Sequence, residues 1–399
     1  MTSIQSLARV ESVAQKESRF LLQIYDRYPL VVTRGCGCYI FDSEGNRYLD
    51  AIAGIGVNAL GYSHPRIIEV LVEQAQQCIH TSNLVYHPYQ GELAQRLCAL
   101  SGLDRVFFSS SGTEAMEAAL KAVRVHGRAL HLRKTKLVAL SNSFHGRTFG
   151  SLAITGQPKY QMPFGPLAPQ VTFVDPNDNI GLAKAVTEDT AGIILEPVLG
   201  EGGIFPVTVE FLQLARELAT RHRALFVADE IQCGLGRTGR YFAYETSGIL
   251  PDIVVTAKPL AAGLPLAATM FTEQAAQNLP VGLHGTTFGG GPLACRVALE
   301  FFSILDELLP NVREIGERLR AGLEEIQRRR PIVTEIRSAG LMLAIQLSRP
   351  GHDLVLRALE RGLLVNCTHD TVLRLLPSYI LSIEQADELL RILDDVLDV

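Results

Sequence analysis

No two cysteines in this 399-residue chain are spaced to grip a metal. The seven (Cys36, Cys38, Cys78, Cys98, Cys233, Cys295 and Cys367) are odd in number and scattered, with no CxxC pair and no Cys/His cluster. This pattern speaks against zinc modules and disulfide frameworks, and free thiols in a reducing compartment are the expectation. Cys36 and Cys38 alternate in an expected strand with both thiols toward one face, but two thiols alone make a poor metal site. A basic arm is missing as well. The formal charge of −5 is spread evenly, and the largest basic cluster, Arg328 to Arg330, falls at an expected helix end where cations suit the helix dipole. A nucleic-acid partner is therefore not expected. No apolar stretch is long and uninterrupted enough to span a bilayer. The N-terminus lacks an apolar core with a cleavage site, and Glu11 and Glu17 argue against a transit peptide. The expectation is a soluble, cytoplasmic protein without a membrane partner. GxSxG, HExxH and Walker A motifs are absent, which removes three common enzyme classes. There are no internal repeats and no low-complexity linker.

What the chain does have is alternation. From about residue 90 to 290, short runs rich in Val, Ile, Leu and Ala alternate with helical stretches, the pattern of a parallel sheet with helices on both faces. The expected strands are 105–108, 136–140, 171–174, 192–195, 225–228 and 253–256; the helices between them include 114–125 and 209–222. Residues 1–30 read as a polar arm and a short helix ending near Tyr28 and Pro29, followed by a small β unit at 31–50. After Gly291 and Pro292 a long helical run passes through 313–329. The tail then alternates, with 335–347, 352–361, 363–367, 373–376 and a last helix from Ile383. The fold class is α/β, a large domain with a mostly parallel central sheet plus a smaller α+β domain. The expected boundaries are 1–50, 51–298 and 299–399.

In such a sheet the chemistry gathers at the carboxyl ends of the strands. Two runs end there with chemically useful residues: Ala224-Leu-Phe-Val-Ala-Asp229 and Asp252-Ile-Val-Val-Thr-Ala-Lys258. A lysine amine for a Schiff base and a carboxylate to keep a ring nitrogen protonated are what pyridoxal 5'-phosphate needs. A lone Lys or Asp past a strand is usually a solvated loop residue, so the weight falls on the accompanying segments. Ser109-Ser-Ser-Gly-Thr113 follows one strand and opens a helix, offering free backbone N–H groups to an anion, although Ser and Thr also cap helices with no ligand at all. Phe144-His-Gly-Arg147 offers a ring to cover a planar cofactor and a guanidinium to fork onto a carboxylate; a plain core role for Phe144 stays open. Glu196 ends the next strand, and Gly200-Glu-Gly-Gly203 carries a second carboxylate. Gly234-Leu-Gly-Arg-Thr-Gly239 formally matches GxGxxG, but no long helix follows it and a dinucleotide site is rejected. Arg374 lies within the apolar run 372–376, where it needs an anionic partner or an aqueous cavity.

Taken together, these segments resemble class III (fold-type I) pyridoxal-phosphate-dependent aminotransferases, especially their N-acetylornithine branch, over nearly the whole chain. The resemblance rests on Gly56-Val-Asn-Ala-Leu-Gly61 with His64-Pro65, His80-Thr-Ser-Asn-Leu84, Ser111-Gly-Thr-Glu-Ala115, Phe144-His-Gly-Arg-Thr148 and Glu196-Pro with Gly200-Glu-Gly-Gly203. It continues through Asp229-Glu-Ile-Gln232, Gly234 to Gly239, Ala257-Lys258, His284-Gly-Thr-Thr-Phe-Gly-Gly290 and Leu373-Arg-Leu-Leu-Pro377. It implies that Lys258 carries the cofactor and shuttles protons, that Asp229 pairs with the pyridinium nitrogen, and that Gln232 approaches the ring hydroxyl, with Glu230 and Ile231 in the same cofactor-binding segment. Gly112 and Thr113 would cradle the phosphate, helped by Thr287 of the partner subunit in a homodimer with shared active sites, and Phe144 would stack on the ring. Arg147 and Thr286 would hold the substrate. Arg374 would take the second carboxylate of glutamate, and Glu201 would neutralise Arg374 when acetylornithine is bound.

The implied reaction moves the δ-amino group of N-acetylornithine to 2-oxoglutarate, a step of arginine biosynthesis. Ornithine, succinylornithine, 4-aminobutyrate and carrier-linked lysine are the rival donors, and an aminomutase is a rival reaction. The chain departs from the family pattern at Met116, Pro259, Ala261-Ala262, Gly291 and Ser378-Tyr379, none of which removes a named chemical group.

Overall fold

Seven strands form the central sheet of the computed structural model, which describes residues 13–168 and 170–399. They are β1 Arg105–Ser109, β2 Lys136–Leu140, β3 Val171–Val174, β4 Thr190–Leu195, β5 Leu225–Asp229, β6 Ile253–Thr256 and β7 Ala267–Phe271. Their spatial order is β1-β7-β6-β5-β4-β2-β3. The four pairings from β6 to β3 are parallel, while β7 runs antiparallel to both β6 and β1. Every residue of β4, β5 and β6 is buried, as continuous apolar runs must be when helices cover both faces.

Strand β7 is the element that the sequence did not announce. Its Ala267-Ala-Thr-Met-Phe271 run has little of the β-branched and aromatic content that marks strands, and it is held between the fully buried β6 and the partly exposed β1.

Helix α1 (Gly112–Leu130) starts from Ser111, whose hydroxyl accepts the Glu114 N–H, while the Glu114 carboxylate accepts the Ser110 N–H at 2.7 Å. Ala115, Ala119 and Ala122 are buried and pack in one cluster with Ile194, Val227 and Val255 of the sheet; small side chains allow that close approach. Helix α2 (Val209–Arg221) covers the opposite face, where Phe211 and Ala215 meet Val138, Ile193 and Phe226.

Helix α3 (Pro292–Arg329) is one element of 38 residues, so the expected junction at 298/299 falls inside it. Beyond it lie β8 Val333–Ala339, β9 Met342–Leu347, α4 His352–Glu360, β10 Asn366–Thr368, β11 Val372–Leu375 and α5 Ile383–Val396. The four strands make an antiparallel sheet in the order β8-β9-β11-β10. The segment expected as one piece at 335–347 is a hairpin, because Gly340 turns the chain at φ +59°. The segment expected at 363–367 also divides. Leu363–Leu364 leaves to pair in parallel with Arg47–Asp50, closing the N-terminal sheet of Val32–Cys36, Tyr39–Asp42 and Arg47–Asp50. On this pattern of sheets we propose the division 1–50, 51–298 and 299–399, with α3 as the spine shared across the last junction.

Two N-terminal expectations change. Helical structure covers 13–20 and stops well before Tyr28; Phe20, Leu22 and Tyr25 stand exposed, so no apolar contact in the protomer sustains a longer helix. Glu11 and the first part of the arm lie outside the described residues. Cys36 and Cys38 do not share a face either: Gly37, at φ +56°, breaks the alternation, leaving Cys36 exposed and Cys38 buried with Sγ 3.2 Å from Ser378 Oγ. The Arg328 to Arg330 cluster does end a helix, and Arg329 and Arg330 pair with Asp394. No helix among the described residues is long and apolar enough to cross a membrane.

Candidate active site

Three adjacent parallel strands deliver three ionisable groups to one edge. Asp229 is the last residue of β5, Glu196 follows β4 directly, and Lys258 lies two residues past β6. All three line a cavity of about 400 Å³. Lys258 opens a short 3-10 turn at φ +34°, an uncommon backbone for a residue with a side chain. Among the described residues its amine makes no hydrogen bond. Burial lowers its pKa, opposed in part by Glu201 and Asp229; a desolvated amine next to carboxylates is still displaced toward the neutral, nucleophilic form.

Asp229 is 2 % exposed. Its Oδ1 accepts the Ile231 N–H at 3.0 Å, and its Oδ2 lies 2.7 Å from His145 Nδ1. A carboxylate can only accept, so the proton of that pair sits on Nδ1. Burial works against a charged His145, and the Asp229 contact more than offsets it, so the net shift of the imidazole pKa is upward. Among the described residues His145 Nε2 is buried without a partner. Glu196 completes the buried cluster. Its carboxylate accepts the N–H groups of Phe144 (2.8 Å) and Gly200 (3.0 Å), and burial pushes its pKa up to about 7, with His145 pulling the other way.

At the far wall Glu201 meets Arg374. Arg374 Nη1 donates to Glu201 Oε1 at 2.5 Å, and Arg374 is 1 % exposed. Burial would raise the Glu201 pKa, but the guanidinium holds it below its ordinary value. The anionic partner that a buried arginine requires is therefore present and lies on the Gly200–Gly203 loop.

The other expected residues divide by location. Gly112, Thr113, Phe144, Arg147, Ile231 and Gln232 line the same cavity. The N–H groups of Gly112 and Thr113, at the start of α1, have no partner among the described residues, leaving them for an anion. Arg147 is exposed at the rim, its guanidinium 3.9 Å from the centre of the Tyr160 ring and 5.4 Å from that of Phe144.

Glu230 corrects an expectation. Successive residues of an extended chain point to opposite sides, so beside Asp229 it faces away from the cavity. There its carboxylate accepts the N–H groups of Ala243 and Tyr244, each at 2.9 Å. Thr286 and Thr287 are not brought to Lys258 within one protomer either. They sit on the loop between β7 and α3, where Thr286 lines a separate cavity beside Asn83 and His87, and Thr287 is exposed.

Sequence reasoning assigned no task to His145 or Glu196. Glu196 carried a readable signal, being a carboxylate at a strand end beside two others. His145 did not: its contact with Asp229 spans 84 residues.

The family described as aminotransferase class-III matches residues 23–397. A curated acetylornithine aminotransferase of Methanocaldococcus jannaschii is 44% identical over 95% of this chain and 96% of its own length. One of Aquifex aeolicus is 42% identical over 95% and 100%. Among solved structures, the ornithine aminotransferase of Toxoplasma gondii superposes with a TM-score of 0.93 at 29% identity, covering 100% of this chain and 98% of that one. The N-acetylornithine aminotransferase of Stenotrophomonas maltophilia gives 0.82 at 33%, covering 96% and 97%. The chain is thus matched by sequence and by fold over almost its full length, and it belongs to the class-III aminotransferases.

Proposed function

We propose that this protein transfers the δ-amino group of N-acetylornithine to 2-oxoglutarate, giving N-acetylglutamate 5-semialdehyde and glutamate. Pyridoxal 5'-phosphate is the cofactor, and the residues present suit it: a desolvated amine at Lys258, a buried carboxylate at Asp229, unpartnered N–H groups at Gly112 and Thr113, and an aromatic ring at Phe144. When bound, it supplies an electrophilic carbon and an electron sink.

The chain's own residues do the rest. Lys258 Nζ, kept toward its neutral form by burial, takes a proton from the substrate carbon and returns it. Asp229 would sustain a positive charge on the ring nitrogen, with His145 holding the Asp229 carboxylate in place through its Nδ1–H. Gln232 would approach the ring hydroxyl, and Phe144 would cover the ring. Arg147 holds the α-carboxylate of acetylornithine. Arg374 receives the distal carboxylate of glutamate or 2-oxoglutarate, and Glu201 takes its place as partner when the amide-bearing substrate is bound.

The observation that carries the reading of substrate is the 2.5 Å contact of Glu201 with the buried Arg374. A pocket that accepts a dicarboxylate in one half-reaction and a monocarboxylate in the other must neutralise its arginine in the second, since an unpaired buried cation is costly.

The reading includes a homodimer in which Thr286 and Thr287 reach the partner's site. Fully exposed Leu84 and Tyr86, on the segment whose Asn83 side chain donates to Thr286 O and Gly289 O, support it, because apolar patches of this kind mark protein contacts. A cytoplasmic setting also belongs to it, and the seven free thiols fit a reducing compartment.

The test is a kcat/KM panel with 2-oxoglutarate as acceptor and N-acetylornithine, N-succinylornithine, ornithine and 4-aminobutyrate as donors. N-acetylornithine should lead; ornithine or 4-aminobutyrate ahead by about tenfold, the least that one methylene of pocket fit gives, would overturn the assignment.

A further inference from the structure

Arg237 lies in the Gly234–Gly239 turn that merely imitates a dinucleotide motif, and the chemistry above does not use it. Its side chain is 1 % exposed. Among the described residues it has no carboxylate partner. Nη1 donates to the carbonyl oxygens of Leu341 (3.4 Å) and Pro377, Nη2 has no partner among the described residues, and the guanidinium carbon sits 4.6 Å from the centre of the Tyr379 ring. A cation buried on neutral partners is costly and lowers its own pKa. What the arrangement provides is geometry.

Ala344 of β9 faces Arg374 of β11, and Leu343 faces Leu375. Continuing that register places Leu341 opposite Pro377. One guanidinium therefore clips both strands just past the end of the ladder that carries Arg374. The clip is rooted in the turn that follows Asp229, where Gly234 N–H donates to Glu230 O and Arg237 O accepts the Leu341 N–H. Tyr379 closes it from the other side: its hydroxyl donates to Leu235 O at 2.9 Å, and its N–H donates to Ala59 O at 2.7 Å. Asp229 and the arginine at the far wall are thus joined through one guanidinium nitrogen that donates to both strands, and a lysine in its place would lose the planar group packed on Tyr379.

We propose that Arg237, held by Tyr379, is a positioning residue that sets the reach from Arg374 to the Lys258–Asp229 centre, and so selects a five-carbon dicarboxylate over four- and six-carbon ones. This rests on the reading of Arg374 as the distal-carboxylate anchor. The test uses cofactor-loaded Arg237→Lys, Tyr379→Phe and Tyr379→Leu, with Arg374→Ala in parallel. The readouts are Kd for the inert dicarboxylates succinate, glutarate and adipate, KM and kcat for 2-oxoglutarate, and the single-turnover acetylornithine half-reaction.

In Arg237→Lys the KM for 2-oxoglutarate should rise about tenfold or more while kcat falls much less, the scale expected of sub-ångström misplacement. The wild-type preference for glutarate, about tenfold or more for one methylene, should flatten, and the acetylornithine half-reaction should hold its rate. Tyr379→Phe and Tyr379→Leu should move the same way by less, and they decide the matter if Arg237→Lys does not fold. An unchanged length preference, or equal losses in both half-reactions, overturns the inference. Glutarate binding that survives Arg374→Ala overturns instead the reading on which it rests.

Discussion

Glu196 and Glu201 stand five residues apart in one stretch of chain lining one cavity, yet their surroundings drive them in opposite directions. Glu196 has only two backbone N–H groups and a neighbouring imidazole to set against its burial, and its pKa climbs to about 7. Glu201 is also largely buried, but a guanidinium at 2.5 Å more than compensates, and its pKa falls. The first belongs to a fixed cluster with Asp229 and His145, attached to the ends of β4 and β5. The second belongs to a pair bridging two elements, a glycine-rich loop and β11. One end of the site is a fixed set of contacts, and the other, on the proposed reading, exchanges partners. Two carboxylates whose environments push them apart are a sign of separate tasks.

The bluntest way to break the fixed end is Lys258→Ala. No other lysine reaches this edge, so turnover should drop by about four decades or more, as when a covalent catalytic residue is deleted. The purified protein should lack the lysine-linked cofactor absorbance of the wild type. A borohydride-trappable lysine adduct with full turnover in the variant would remove the core of the assignment. Asp229→Asn should come next. The cofactor should still bind, but kcat should fall by about two to three decades, the scale for a lost electrostatic contact to developing charge. Wild-type kcat would mean that another group supports the ring nitrogen.

These two residues were legible in the sequence because each ends a continuous Val/Ile/Leu/Ala run, and such runs terminate at the catalytic edge of a parallel sheet. The central sheet was legible for the same reason, apart from β7, whose Ala-rich run imitates a loop. Contacts between distant segments were not legible. Nothing local in Phe144-His145 announces Asp229, and nothing in Gly234-Leu-Gly-Arg237 announces Leu341 or Pro377. Glu230 was misplaced because the motif was carried over whole, whereas alternation along the chain sends adjacent carboxylates to opposite sides. The exchangeable pair falls between these cases: a buried arginine in 372–376 demanded an anion, and the resemblance, not the spacing, singled out Glu201.

The exchangeable end makes a directional prediction. Arg374→Ala should slow the glutamate or 2-oxoglutarate half-reaction by about thirtyfold or more, the usual result of truncating one partner of a buried charge pair, and should affect the acetylornithine half-reaction less. Glu201→Ala should do the reverse, leaving glutamate handling intact or improved. Single-turnover spectroscopy of each half-reaction separates them. Equal slowing of both half-reactions by both variants would make the pair a structural link only.

The smallest effect separates the two glutamates by pH. For Glu196 the folded-state pKa of about 7 lies above the ordinary value of 4.5, so the folded chain holds this proton more tightly than the unfolded one. Its contribution to stability is complete below about pH 4.5 and disappears as pH rises toward and past 7, by about 3 kcal/mol at most. Glu201 has the opposite sign: its lowered pKa gives stability that is present above the ordinary value and lost as pH falls through the folded one. Urea unfolding of cofactor-free protein at fixed protomer concentration, run at pH 5 and pH 8, measures the first slope. Glu196→Gln should be less stable at pH 5, because one of the Phe144 and Gly200 N–H groups loses its acceptor at a cost of about 1–3 kcal/mol. It should nevertheless show a shallower decline between the two pH values than the wild type. Glu201→Gln should leave that decline unchanged and instead soften the loss of stability on the acid side. A decline in Glu196→Gln as steep as in the wild type would place the titrating proton elsewhere, on His145 of the same cluster or on Glu230 outside it, whose own burial pushes it to about 7. Glu230→Gln would then tell those two apart, since Glu230 faces away from the cavity and shares no contact with His145.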